Sequence, residues 1–162
     1  MPGHVVLESL DEALLTDLLR TAVADADPGE VMPVDDPGTS WNADREAEFR
    51  AFHRGRALAS PPVEATYGIR VDGEVVGAAR LCPLPDSDSA VEAGVWIGRS
   101  RRGTHIGTAV FAALLERATA EGYTKLFVST TPDNTPVLRL LSARGIEYVL
   151  DGDQATAWVS CD

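Results

Sequence analysis

One stretch, between Glu92 and Gly122, switches its apolar period and so constrains the fold more than any other part of the chain. Val91 to Ile97 reads as a strand, because Val, Trp and Ile suit a pleated, half-buried surface. From Ile106 onward the apolar positions take helical spacing. Ile106, Val110, Leu114 and Ala118 fall on one line, Phe111 and Leu115 lie beside it, and Gly122 supplies a C-terminal stop. Between the two elements lies Arg102-Gly103-Thr104-His105-Ile106-Gly107-Thr108, at the point where a helix leaves its first amides unpaired. Such a turn can bind an anion: bare N–H groups and the positive helix end face outward together, and glycine lets a phosphate approach the backbone. Arg99, Arg101 and Arg102 add positive charge at the same place.

The rest of the chain supplies elements around that unit. His4 to Leu7 predicts a short strand, and Ser9 to Glu12 has capping-box spacing ahead of a helix with Leu14, Leu15, Leu18, Leu19, Ala22 and Val23 on its apolar face. Residues 25–39 are rich in Pro, Gly and Asp and read as a long loop, of the length that is usually functional or disordered. A second helix is expected over Asn42 to Arg54. A hairpin follows, Glu64 to Val71 and Glu74 to Leu81, joined by Asp72-Gly73, a type I′ signal. After Gly122 come a buried-type strand, Lys125 to Ser129, and a helix from Thr135 to Arg144 with Pro136 in its first turn and Gly145 at its end. A last hairpin runs Glu147 to Leu150 and Ala155 to Ser160. The predicted order is therefore β-α-α-β-β-β-α-β-α-β-β in a single domain over residues 1–162, with no repeats and no dividing linker.

Composition narrows the function classes. No apolar run approaches the span of a bilayer and the N-terminus lacks signal-peptide character, so a cytoplasmic chain without a membrane partner is expected. Cys82 and Cys161 lack metal-ligand spacing, the three histidines are scattered, and no metal is expected. Of the net charge of −11, nearly all arises before residue 49, where twelve acids face only Arg20 and Arg45. That field repels nucleic acid and attracts cations, although acids of this kind also serve simply to keep a surface soluble.

Element order and the anion turn together resemble the GNAT superfamily of acyl-CoA-dependent N-acyltransferases. Arg102 and Gly107 match the family's Arg/Gln-x-x-Gly-x-Gly/Ala motif, with His105 in the place of its first glycine. Asn134, Leu140 and Gly145 match a second signature, Asn-x-x-small-x-x-Leu-Tyr-x-x-x-Gly-Phe, in which Leu141 replaces the tyrosine. The motifs span about Glu92 to Ile146, the element order the whole chain. The resemblance implies an α+β fold: a twisted, mostly antiparallel sheet of about seven strands flanked by four helices. It also implies acetyl-CoA as co-substrate, with the pyrophosphate on the amides of Gly103, Thr104, His105, Ile106, Gly107 and Thr108, near Arg102. The pantetheine arm would lie beside the end of the strand at Trp96, Ile97 and Gly98, Asn134 and Leu141 would also belong to the cofactor site, and an amide near Ile97 would stabilise the oxyanion. His105 is expected in helical backbone geometry, where a Cβ is tolerated.

Transfer requires a neutral amine. Glu92 shares a strand face with Gly94 and Trp96 and is the ionisable group there. By resemblance it is the general base, since protein-lysine acetyltransferases of the family carry a glutamate at the same eleven-residue spacing to the turn glycine. A carboxylate in water titrates near about 4.3, so this role requires burial or a relay through water; the alternative is a glutamate on a solvated strand face. Leucine at 141 cannot protonate a departing thiolate, yet a thiol with a pKa of about 8.5 leaves tolerably without help. The family's acceptor site is bounded by the segment between the first two helices and by the last hairpin, which here carry Asp25, Asp27, Glu30, Asp35, Asp36 and Trp41, and Asp151 and Asp153. The acids favour a cationic acceptor such as a polyamine, an aminoglycoside or a basic peptide antibiotic. A lysine side chain, and an acyl-CoA-binding protein without transferase activity, stand as alternatives. Either a monomer or a homodimer fits.

Overall fold

The computed structural model describes residues 4–36, 38, 40–103 and 105–161. Seven strands form one sheet: β1 (Val5–Ser9), β2 (Ala65–Val71), β3 (Glu74–Pro83), β4 (Ala90–Ile97), β5 (Lys125–Thr130), β6 (Val149–Asp151) and β7 (Gln154–Ser160). Their spatial order is β1-β2-β3-β4-β5-β7-β6, and all neighbours are antiparallel except β4 and β5. A parallel pair needs a long crossover, which the helix between those two strands provides.

Five helices flank the sheet among the described residues: α1 (Glu12–Asp25), α2 (Pro28–Val31), α3 (Ala43–Arg54), α4 (Ile106–Ala120) and α5 (Thr135–Ala143). Four were expected. The addition is α2, a single turn inside the segment read as loop, with Pro28 opening it and the Glu30 carboxylate accepting from the Asp27 amide at 3.2 Å. A four-residue helix has no apolar period to detect. The start of α1 also differs from expectation. Ser9 is still strand, opposite Tyr67, and Asp11 caps the helix by accepting from the Leu14 amide at 2.7 Å.

Each face of the sheet carries its own core. On one side α4 lays Ile106, Val110, Leu114 and Ala118 against Ile69, Val91, Leu126 and Val159, and Leu141 of α5 joins them. On the other side Leu15, Leu18 and Leu19 of α1 and Phe49 of α3 pack over Ala78 and Trp96. Two glycines permit this packing. A Cβ on Gly68 would come within 2.9 Å of Leu14, and one on Gly77 within 2.1 Å of the Trp96 carbonyl oxygen. The predicted hairpin turn holds, with Asp72 at φ 51° and Gly73 at φ 88°, as a type I′ turn requires. No helix among the described residues is long and apolar enough to cross a membrane.

Candidate active site

The site begins where the parallel pair ends. β4 and β5 are in register from Ala90↔Lys125 to Ala93↔Val128 and no further, although β4 runs on to Ile97 and β5 to Thr130. Beyond that point β5 stays with β7 through Thr130↔Ala155, and β4 stays with β3 through Ile97↔Gly77. The two strands therefore diverge into an opening in the middle of the sheet. The Gly98 amide donates to the Val76 carbonyl at 2.8 Å. Backbone groups alternate along an antiparallel strand, so Val95 and Ile97 turn theirs toward the opening. Val95 is 46% exposed on the α4 face, an apolar surface that no helix covers.

The anion turn stands at the mouth of this opening. A short 3-10 turn, Arg99–Arg101, leads to Gly103 at φ 78° and His105 at φ 64°, and α4 starts one residue later. Thr104, expected to contribute its amide, lies outside the described residues. His105 departs from its expected helical geometry: it is left-handed, a conformation costing a side chain about 1–2 kcal/mol. Among the described residues no side chain caps α4, so the amides of Ile106, Gly107 and Thr108 are presented outward at the positive end of a 15-residue helix. Space is open where a Cβ of Gly103 or Gly107 would stand, and Thr108 is exposed.

The arginines of the turn are already engaged. Arg102 donates from Nε to the Ile97 carbonyl at 3.0 Å and from Nη2 to Glu30 at 3.1 Å. Arg99 lies 3.3 Å from Asp27 and 3.9 Å from Glu30, and Arg101 pairs with Glu74. Asp25 accepts from the Ser100 amide and hydroxyl at 3.0 and 2.6 Å, and the hydroxyl bond is the main reason its carboxyl titrates below the ordinary range. The guanidiniums thus tie the turn to α2 and β3, Ser100 ties it to α1, and the backbone amides are the donors left facing outward. Gly98 sits directly over Asp25, where a Cβ would be 2.3 Å from its oxygen.

Across the opening, Asn134 caps α5. Its side chain accepts from the Val137 amide at 3.5 Å and donates to the Thr130 hydroxyl at 2.8 Å, fixing the helix to the end of β5. Leu141 is only 1% exposed and belongs to the core under α4, so it offers the opening almost no surface.

Glu92 lies on the opposite face of β4, with Trp96, which packs toward α1. Its neighbours across the strands are Cys82 on β3 and Phe127 on β5, and Phe127 meets Trp158 of β7 with ring centroids 4.8 Å apart. Arg80 of β3 lies over Gly94, and its Nη1 donates to Glu64 at 3.1 Å. Arg56, just past α3, grips the other oxygen of Glu64 and reaches Cys82 at 3.8 Å. These three charged residues escaped the sequence reading. Strand alternation places Arg80 and Glu92 on one face only once the register of β3 and β4 is known.

The residues expected around the acceptor divide. Asp27 and Glu30 face the arginines of the turn, as above. Trp41 donates from its indole to the Ala26 carbonyl at 2.8 Å and packs edge-on to Phe49, which makes it a brace for the α1 to α3 connection. Asp35 and Asp36 are exposed, with the Asp36 carbonyl accepting from Arg45 at 3.2 Å.

Known structures share this fold. The chain is similar to the structure of Mycobacterium smegmatis RimJ in complex with CoA-disulfide, at 22% identity and a TM-score of 0.77, over 98% of this chain and 82% of that one. It is similar also to yncA, a putative acetyltransferase from Salmonella typhimurium with its cofactor acetyl-CoA (16% identity, TM-score 0.68, 98% and 94% covered). A third likeness is to mutant forms of the spermidine/spermine N-acetyltransferase SpeG from Vibrio cholerae (12% identity, TM-score 0.69, 97% and 94% covered). Among curated proteins none matches. At these identities the structures establish the fold alone. Residues 30–146, however, match the acetyltransferase (GNAT) family as a sequence. Diverging parallel strands beside an uncapped helix start, on a chain whose sequence matches over most of its length, make this protein a member of the GNAT acetyltransferase family.

Proposed function

We propose that the protein transfers the acetyl group of acetyl-CoA to a primary amine of a small molecule, by direct attack within a ternary complex. The observation that carries this reading is the adjacency of the β4/β5 opening and the uncapped start of α4. The α4 amides and Gly103 would hold the pyrophosphate, and the slot floored by Val95 the pantetheine arm. Relatives of this fold whose structures contain CoA or acetyl-CoA lend the donor further support. The thioester supplies an activated acetyl carbonyl. Amides of Val95 and Ile97, turned into the opening, are placed to donate to the carbonyl oxygen as it gains negative charge.

Donor and acceptor enter from opposite faces of the sheet. Glu92 is half-buried on the acceptor side between Cys82 and Phe127, and it takes the ammonium proton directly or through a water. With leucine at 141, coenzyme A leaves as the thiolate. A polyamine or aminoglycoside acceptor draws less support than the acid count promised, because Asp27 and Glu30 already face Arg99 and Arg102. Asp35, Asp36, Asp151 and Asp153, on the segments expected to bound the acceptor and all exposed, still favour a molecule that bears an ammonium.

Thiol release from acetyl-CoA against a panel of primary amines tests the reading. Turnover of at least one amine is expected, and Glu92→Gln should reduce kcat by about 100-fold or more. Coenzyme A binding without turnover of any amine would sink the enzyme reading in favour of a silent acyl-CoA-binding protein.

A further inference from the structure

On the acceptor face two guanidiniums share one carboxylate. Glu64 is 1% exposed at its side chain and receives Arg56 on one oxygen and Arg80 on the other. Arg56 and Arg80 are themselves 36% and 40% exposed, so each presents donors beyond those that Glu64 takes. An arginine carries five N–H donors. Glu64 neutralises one of the two charges and leaves one over.

Neighbouring groups do not cancel that remainder. His53 is 4% exposed between Phe49 and Phe52, with neither ring nitrogen hydrogen-bonded. Burial pushes its pKa down to about 4, so it is neutral at physiological pH. Cys82 takes only a long contact from Arg56. Glu92 lies on the same face, and among the described residues no ion pair joins it to either arginine, whose carboxylate partner is Glu64.

The pair is also well placed. Arg80 lies against Gly94, where an added Cβ would fall 2.6 Å from its Nε. Gly94 is the first residue of β4 beyond the last rung with β5, where the opening begins. Arg56 reaches over Cys82, which sits directly across from Glu92. An oxyanion on these guanidiniums would therefore lie within a few bonds of an amine held between Glu92 and the opening. Planar, forked donors suit a carboxylate.

We infer that Arg56 and Arg80 form an oxyanion subsite, and that the acceptor is a small amino acid-like molecule carrying its primary amine and a carboxylate a few bonds apart. This rests on the transfer reading above and names the acceptor class for the same site. It disfavours polyamines, which would bring an ammonium against the two guanidiniums.

The experiment compares α-, β- and γ-amino acids with their amides and decarboxylated counterparts at fixed acetyl-CoA. The best carboxylate should exceed its neutral counterparts in kcat/KM by about tenfold or more, chiefly through KM, as expected for a charge-assisted hydrogen bond. Arg80→Gln and, separately, Arg56→Gln should raise KM for the acid more than for its amide and so shrink that preference. Each variant keeps one guanidinium on Glu64, and circular dichroism establishes folding. Equal use of acid and amide by the unaltered protein, or an undiminished preference in Arg80→Gln, would overturn the inference. Should no amine turn over, the transfer reading fails instead. Calorimetric binding of the same acids and amides to the protein loaded with coenzyme A then decides the subsite on its own, and equal affinities would refute it.

Discussion

Acidification should destabilise this protein through one buried histidine, at higher pH than the range in which Glu12 and Asp25 take up protons. His53 sits on α3 with Phe49 and Phe52 at ring-centroid distances of 4.7 and 5.2 Å, and both its nitrogens lack partners. Desolvation lowers its pKa from 6.5 to about 4, and the nearby Glu64 offsets only part of that. In the unfolded chain the imidazole takes a proton near pH 6.5, whereas in the fold it resists until about 4. The stabilisation is thus complete above pH 6.5, drains away as pH falls toward 4, and is gone below that. One pKa unit corresponds to about 1.4 kcal/mol, so the full effect is about 3 kcal/mol, of which about 2 kcal/mol is lost by pH 5. Glu12 and Asp25, whose carboxyls are lowered by hydrogen bonds from Arg54 and Ser100, act in the same sense but only below their ordinary values of 4.5 and 3.8. The two windows are therefore separable. Urea unfolding at pH 7, 6 and 5 should show the loss in the natural chain. His53→Leu removes two unsatisfied buried nitrogens, so it should be at least as stable at pH 7 and nearly flat down to pH 5. An equally steep decline in His53→Leu, or a flat profile in the natural chain, would refute the reasoning.

Two further substitutions test how the site is built. His105→Gly relieves a left-handed backbone (φ 64°) and should stabilise the protein by about 1 kcal/mol in thermal unfolding; a loss of stability would mean that the imidazole makes compensating contacts. Gly77→Ala forces a Cβ to 2.1 Å from the Trp96 carbonyl oxygen, backbone that cannot swing aside. It should cost about 2–3 kcal/mol or more and displace the end of β4, so that acetyl transfer falls further than stability alone predicts. Unfolding curves and specific activity measured on the same preparation check both effects, and wild-type values would remove the close β3/β4 approach from the account.

Much of the scaffold is local information. The change from strand to helical period across Ile97 and Ile106 places β4, the anion turn and α4 within a residue or two. Asp72-Gly73, Gly122 and Gly145 mark turns that all have positive φ in the fold. Such features depend on backbone sterics and on which face of a short segment is apolar, and both are written in a window of ten or so residues. The exceptions are short or ambiguous segments. α2 is too brief to show a period, and Ser9 yields the cap of α1 to Asp11 because pairing with Tyr67, 58 positions away, keeps it in the strand.

Charge is where local reading stops. An acidic first third of the chain reads as a field for cations, yet Asp27 and Glu30 meet Arg99 and Arg102 some seventy residues downstream. The cluster of arginines reads as positive charge added to an anion turn, yet those guanidiniums pair with Asp27, Glu30 and Glu74 and hold the turn in place. Arg56, Glu64 and Arg80 look unremarkable in sequence and acquire a shared face beside Glu92 only through the register of β2, β3 and β4. By itself, the sequence determined the strands, the four longer helices, the family and the place of the turn before α4, because these follow from short-range pattern. Which charges are paired and which remain for a substrate was decided by the tertiary structure alone, since Coulomb interactions act through distances in space that no spacing along the chain reveals.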